Sequence, residues 1–453
     1  MWEKIKDALT EVLIEILELW ARFQVYAERE WVAFFKWCGF SIVVGVVVGV
    51  VGAAFHHAVE WATATRMAYP WLLYLLPVAG LAIAGLYHLF KLDNDAGTEF
   101  VLASVRDARV LRISMVPLIF ISTVLTHLCG GSAGREGAAL QIGGGISAWL
   151  GRLLHLDDRD RRITTMAGMA AGFSALFGTP LAAAVFAMEV ECVGVMYYAA
   201  IVPCFLSALL ASIVAGFCGG EATSFVVFNA PDLTVLSMAQ IIVLGALCGM
   251  LANIFCRVMR GISKAYRHFF HKPWQKALVG GCLVILLTLV FGRDYNGAGM
   301  SVISAALGGS ADTWAFLLKI LFTAVTLGAG FKGGEIVPSF FVGATFGCVV
   351  APLLGLSASF GAAVGMVSVF CGVTNSPMTS ILLGYELFAG VGVAPLALAV
   401  AVIYMLSGYT GLYHEQKIVY SKTKAVYINK KGDQEYFSRE HDLDGADTGK
   451  KDS

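Results

Sequence analysis

The sequence predicts an all-α, polytopic membrane protein, on three observations. First, its 453 residues are 58% apolar and only 14% charged, against about 45–50% and about 25% in soluble globular domains. Second, the charge sits at the ends: 12 charged residues fall in 1–37 and 15 in 417–453, leaving 37 across the 379 positions between. Third, apolar stretches follow one another from Phe40 onward, several near the ~20 residues that cross a bilayer and others plainly shorter. A body so poor in charge cannot cover itself for water. That excludes a cytosolic enzyme, a nucleic-acid binder and a secreted disulfide scaffold. A net charge of +0 also gives no electrostatic footprint for nucleic acid.

In chain order, residues 2–24 set Ile5, Leu9, Val12, Leu13, Ile16, Leu17 and Trp20 on one helical stripe. The other face carries more acid than base, so 1–30 reads as a cytosolic amphipathic helix docked on the protein rather than a polybasic anchor. No cleavable signal is expected, because these charged residues contain no short apolar run ending in a small-residue site. Stretches near 40–58, 71–90, 113–129, 164–188 and 195–218 build a first membrane half, 31–220. Those near 236–256, 278–292, 313–330, 338–356, 360–373 and 378–406 build a second, 236–420. Glycine is abundant, at 50 residues. Short, Gly-broken segments predict helices that end inside the membrane, which is tolerated only where irregular backbone faces protein or a wet cavity. The tail, 421–453, is polar and expected to be disordered.

The two halves share their interruptions. Phe177-Gly178-Thr179-Pro180 is followed by Glu189, and Asn375-Ser376-Pro377 by Glu386 at the same spacing. Gly130-Gly131-Ser132-Ala133-Gly134-Arg135-Glu136-Gly137 matches Gly330-Phe331-Lys332-Gly333-Gly334-Glu335-Ile336-Val337-Pro338, and Ala96-Gly97-Thr98 matches Ala298-Gly299-Met300. Matched Gly/Pro breaks in two halves point to a transport site at the repeat interface.

A Gly-rich break leading into an apolar helix exposes unpaired N–H groups and the positive end of the helix dipole, which suits an anion. Cations are expected to be scarce inside the apolar runs, with Arg135 and Lys332 flanking the breaks. Glu136 and Glu335 are the unusual residues, since carboxylates at membrane depth are costly and mark function. A carboxylate in an anion pathway makes sense if it competes with the anion when charged and yields when protonated, so that anion and proton movements are coupled. Burial favours the neutral carboxyl. The plainer role is a helix cap or a pairing with Arg135 or Lys332. For Glu189, Glu191 and Glu386 a structural or water-contact role is expected.

The string Gly131 to Gly137 resembles the gating-glutamate motif of the CLC family of chloride channels and anion/proton antiporters. The order of the breaks, the Pro180 and Pro377 segments and Leu412-Tyr413 extend the resemblance across roughly 30–420. It implies two inverted-topology halves of tilted, broken helices and a homodimer with one pore per subunit. It also implies that Glu136 is the external gate and proton acceptor, and that Tyr413 offers a hydroxyl to the central anion. Backbone at Gly97, Gly134, Arg135, Gly137, Gly334, Ile336 and Val337 would line the anion site.

Departures narrow the resemblance. Gly97-Thr98-Glu99-Phe100-Val101 lacks the proline usual in chloride-transporting members, Glu335 stands in the third break, and Val190 replaces an internal proton glutamate. Together these resemble the fluoride-selective bacterial branch, although Thr98 stands where that branch commonly has Met or Asn. Fluoride, a strong acceptor that is costly to dehydrate, needs short donors: backbone N–H groups, Tyr413, Thr98 and a protonated Glu335. The expected function is therefore a fluoride/proton antiporter in the bacterial inner membrane. Alternatives are a chloride or nitrate carrier of the same type and a passive anion channel. No cofactor is expected.

Among weaker signals, Arg257, Arg260, Lys264, Arg267, Lys272 and Lys276 read as a cytosolic basic loop, as do Arg106, Arg109 and Arg112. His56 and His57 read as packing or interfacial residues. The ten cysteines, without a CxxC pair, read as small core residues, so no metal site is expected.

Overall fold

In a computed structural model, residues 2–92, 97–107, 111–157, 160–424 and 426–431 are described. Ala96, Arg109 and most of the tail therefore lie outside the described residues. The first half contains α1 (Trp2–Ala68), α2 (Leu76–Leu89), α3 (Thr98–Asp107), α4 (Met115–Leu128), α5 (Glu136–Leu153), α6 (Arg161–Phe177), α7 (Pro180–Glu189) and α8 (Ile201–Phe217). The second contains α9 (Val235–Phe269), α10 (Pro273–Phe291), α11 (Met300–Leu307), α12 (Ala315–Gly328), α13 (Ile336–Val350), α14 (Ala358–Thr374), α15 (Pro377–Leu387) and α16 (Val393–Leu406). Eight helices answer eight in the same order. Long apolar helices such as Tyr26–Ala68 and Val235–Phe269 suffice to cross a bilayer, whereas α4, α7, α12, α14 and α16 are apolar but shorter.

The breaks have a local cause. Gly178 (φ 68°) and Asn375 (φ 58°) end α6 and α14 in the left-handed region, where glycine is free and asparagine is tolerated. Two residues later Pro180 and Pro377 open the next helices, at the position where a missing N–H costs nothing.

Packing repeats too. A Cβ on Gly143 would lie 2.1 Å from the Gly168 carbonyl oxygen, and one on Gly343 would lie 2.2 Å from that of Gly365. So α5 crosses α6, and α13 crosses α14, with backbones in direct contact, as small residues allow between membrane helices. The halves then cap each other. Glu189, ending α7, accepts from Met378 N (3.0 Å), Thr379 N (2.8 Å) and Thr379 Oγ1 (2.6 Å) at the start of α15. Glu386, on α15, accepts from Leu181 N (2.9 Å) and Ala182 N (2.8 Å) at the start of α7. The structural role expected for these two carboxylates is thus a reciprocal one.

Four expectations are corrected. The amphipathic segment is continuous with the first membrane helix, and side chains 14–20 are exposed rather than docked; in a single helix this long, nothing folds the first turns back. Arg257, Arg260, Lys264 and Arg267 belong to α9, not to a loop, because no glycine or proline follows Gly261 to end the helix before Pro273. The tail is structured at its start: β1 (Cys192–Val193) pairs in parallel with β2 (Lys417–Tyr420), which pairs antiparallel with β3 (Tyr427–Lys431). Lastly, α12 carries a cation in its apolar run. Lys319 is 0% exposed, and its ammonium donates to the carbonyls of Tyr295 (3.1 Å) and Gly297 (2.7 Å) over the Phe341 ring.

Candidate functional site

The two Gly-rich breaks meet. Gly134 and Gly334 form an antiparallel bridge, each N–H donating to the other's carbonyl at 2.7 Å. This sets the first turn of α5 against the first turn of α13. The approach is close enough that a Cβ on Gly334 would sit 2.7 Å from Gly137 N, and one on Gly137 would sit 2.6 Å from Thr98 Oγ1. Only glycine fits at these two positions.

Glu136 fills the space this creates. It is 0% exposed, and its Oε2 accepts from Val337 N at 3.3 Å, so the carboxylate occupies the N-terminus of α13. Pro338, at the third position of that helix, has no N–H, leaving Ile336 and Val337 as the donors nearest the break. The other carboxyl oxygen, Oε1, is buried and without a hydrogen-bond partner among the described residues. The carboxyl thus sits on backbone N–H groups at a helix N-terminus, the bond from Val337 being a long one, in a position that suits negative charge.

On either side lies a cavity. One, of about 830 Å³, reaches Arg135, Arg66, His127 and Glu60. The other, of about 410 Å³, is lined by Gly97, Thr98, Glu99 and Glu335 together with Arg260 and Arg267 of α9. The basic end of α9 marks that second cavity as the cytosolic one. Thr98 also takes a long hydrogen bond (3.5 Å) from Gln141, which is anchored on the Gly137 carbonyl at 3.0 Å. Tyr413 is buried and lies within electrostatic reach of Glu335, Glu136 and Glu99.

The structure therefore gathers Thr98, Gly134, Glu136, Gly137, Gly334 and Val337 at one point, and places Gly97 and Glu335 just inward of it. Arg135 faces the outer cavity. Sequence reasoning passed over Glu99, Gln141 and His414. Glu99 Oε1 accepts from His414 N at 2.9 Å, a contact between residues 315 positions apart that no local pattern reveals. Among the described residues no group of His, Cys, Asp and Glu could hold a metal. His56 instead pairs with Glu60 (2.9 Å), and His57 bonds the Cys218 carbonyl (2.9 Å).

A buried carboxyl on a helix N-terminus, between two inverted halves of broken membrane helices, is an arrangement suited to membrane anion transport. The chain belongs to the voltage gated chloride channel (CLC) family, whose model matches residues 79–408. It is 36% identical over 397 residues to the chloride/fluoride channel protein of Pseudomonas syringae pv. tomato, covering 85% of this chain and 87% of that one. An H(+)/Cl(−) exchange transporter of Yersinia pestis is 28% identical over 381 residues, 77% of this chain and 79% of that one. Among solved structures, a CLC-type fluoride/proton antiporter superposes with a TM-score of 0.82 at 31% identity, over 85% of this chain and 98% of that one. A slow cyanobacterial Cl−/H+ antiporter shares the fold, with a TM-score of 0.70 at 22% identity over 82% and 94% of the two chains. The protein is thus a multi-pass anion transporter of the CLC type, not an enzyme.

Proposed function

We propose that the protein exports fluoride from a bacterial cytoplasm across the inner membrane in exchange for protons. The observation that carries this is the Glu136 carboxylate seated on the α13 N-terminus, where the transported anion would sit. When charged, Glu136 competes with the anion for Val337 N–H. When protonated, it gives up the seat and carries one proton, so anion and proton share a single position. Glu335 supports fluoride over chloride. A central protonated carboxyl donates to a small, strongly accepting anion and removes a charge that would repel it. Tyr413, and Thr98 at the mouth of the same point, supply further donors. The names of two relatives above 30% identity also include fluoride. Assembly as a homodimer with one pathway per subunit belongs to the same reading.

A passive channel is the second reading, favoured by the channel named in the Pseudomonas relative. Proteoliposomes loaded with fluoride separate them: efflux recorded with a fluoride electrode should be matched by proton uptake recorded with a pH electrode. Fluoride efflux without proton uptake makes the protein a channel, and chloride efflux at the fluoride rate removes the selectivity. Glu136→Gln should abolish proton movement, and Glu335→Ala should narrow the preference for fluoride.

A further inference from the structure

We propose that Glu99, paired with His414, is the inner proton carrier of this transporter, moving protons between Glu335 and the cytosolic cavity. The inference rests on the proton exchange proposed above and adds the group that completes its inner leg.

An acid at the mouth of an anion pathway needs a reason, because it repels the cargo. Glu99 is the second residue of α3 and lines the cytosolic cavity with Glu335. Its charge reaches Glu335 across that cavity. Among the described residues, the charged and titratable groups around it are Glu335, His414, Lys332, and Cys256, Arg260 and Arg267 of α9, with Tyr413 within reach of its charge; on its own helix Arg106 is tied to Glu415 (2.8 Å). The cations offset the cost to an entering anion. They do not explain why a carboxylate is there.

Its pairing does. Glu99 Oε1 accepts the His414 N–H at 2.9 Å, and His414 Nε2 stands 3.9 Å from the same oxygen. The Glu99 side chain is 25% exposed and that of His414 34%, so both touch cavity water without being free in solution. His414 follows Tyr413 in the chain, which places an imidazole, able to take or give a proton at a ring nitrogen, next to the residue proposed to face the central anion. The backbone bond fixes the carboxyl and the imidazole against one another. Val190, where the resemblance puts an internal proton glutamate in chloride/proton members, offers no titratable group: it is 0% exposed, and its carbonyl accepts from Gln416 Nε2 at 2.8 Å. The proton step balances simply. Protonated Glu335 gives its proton through cavity water to the Glu99 carboxylate, and Glu99 passes it to His414 Nε2 or to cytosolic water, with no other bond formed or broken.

A purely structural Glu99 would only cap the turn at His414, and glutamine keeps that acceptor. Glu99→Gln is therefore the decisive variant, measured in proteoliposomes by simultaneous fluoride and proton flux across a series of pH values. The expected result is ~100-fold slower coupled turnover at neutral pH, the lower end of the range for losing a positioned acid–base group, with recovery as pH falls and an unchanged melting temperature. Glu99→Asp should retain most of the rate, and His414→Gln should shift the pH profile. Wild-type turnover and profile in Glu99→Gln, or equal losses in Glu99→Asp and Glu99→Gln, would overturn the assignment. If Glu99→Gln does not fold, an unshifted profile in His414→Gln overturns it instead. Wild-type protein that moves fluoride without protons would defeat the parent reading, whatever Glu99 does.

Discussion

The reciprocal carboxylate caps offer the sharpest stability test, Glu189→Gln against Glu386→Gln. Glu189 is 8% exposed and accepts three hydrogen bonds, from Met378 N, Thr379 N and Thr379 Oγ1. Glutamine keeps one acceptor oxygen and turns an amine toward the other donors. At least one charge-assisted bond is lost, worth about 1.5–3 kcal/mol. The helix also loses its terminal negative charge, worth about 0.3–1 kcal/mol. Glu189→Gln should therefore cost about 2–4 kcal/mol. Glu386 is half-buried with two bonds, so the same arithmetic gives less, about 1–3 kcal/mol on the same scale. Thermal unfolding of the two purified variants in one detergent reads the order directly. Because the carboxylates bridge the same pair of helices, the double variant should not sum its single losses, with a coupling of about 0.5–3 kcal/mol. A Glu189→Gln protein that melts with the wild type, or above Glu386→Gln, would show that these bonds do not hold the halves together.

Three further outcomes follow from the same geometry. Gly168→Ala and Gly365→Ala place a Cβ 2.2 Å and 2.1 Å from the facing glycine carbonyls; each should lower the melting temperature by an overpacking cost of at least ~1–3 kcal/mol, while Gly39→Ala, with open space around it, should not. Tyr413→Phe removes one donor to a charged ligand, about 1.5–3 kcal/mol, so fluoride efflux at low fluoride should fall tenfold or more, on the order of that energy, with no change in melting. Lys422, beyond the last membrane helix, is held by burial at about 8 instead of 10.5. Between those values the unfolded chain binds more protons than the folded one, so stability should rise with pH across that window. Melts at pH 7.5 and 9.5 should show this gain in the wild type, and Lys422→Met should lack it.

The breaks were legible because each is a local event: a left-handed glycine or asparagine, a proline, or a charge in an apolar run is visible within ten residues. Glu136 and Glu335 stood out for the same reason. What escaped depended on contacts made late in the chain. Glu99 looked like an ordinary first-turn acid until His414 was placed beside it. Glu189 and Glu386 are conspicuous at the ends of apolar runs, but that each caps the other's helix is a property of the dyad between the halves. Lys319 is a single cation in α12, and its partners are carbonyls of the loop between α10 and α11, which carry no side-chain signature. The bounds of the first helix were missed because hydrophobic patterning changes near residue 30 while the backbone continues.

The paired strand of Gly134 and Gly334 also constrains biogenesis. The Glu136 carboxyl is synthesised about 200 residues before the helix end that receives it, and Tyr413 arrives later still. Until the second half has been made, Glu136 lacks the Val337 N–H from which it accepts. A first half made alone therefore leaves this carboxyl, and the N–H and carbonyl of Gly134, without the partners that the second half supplies.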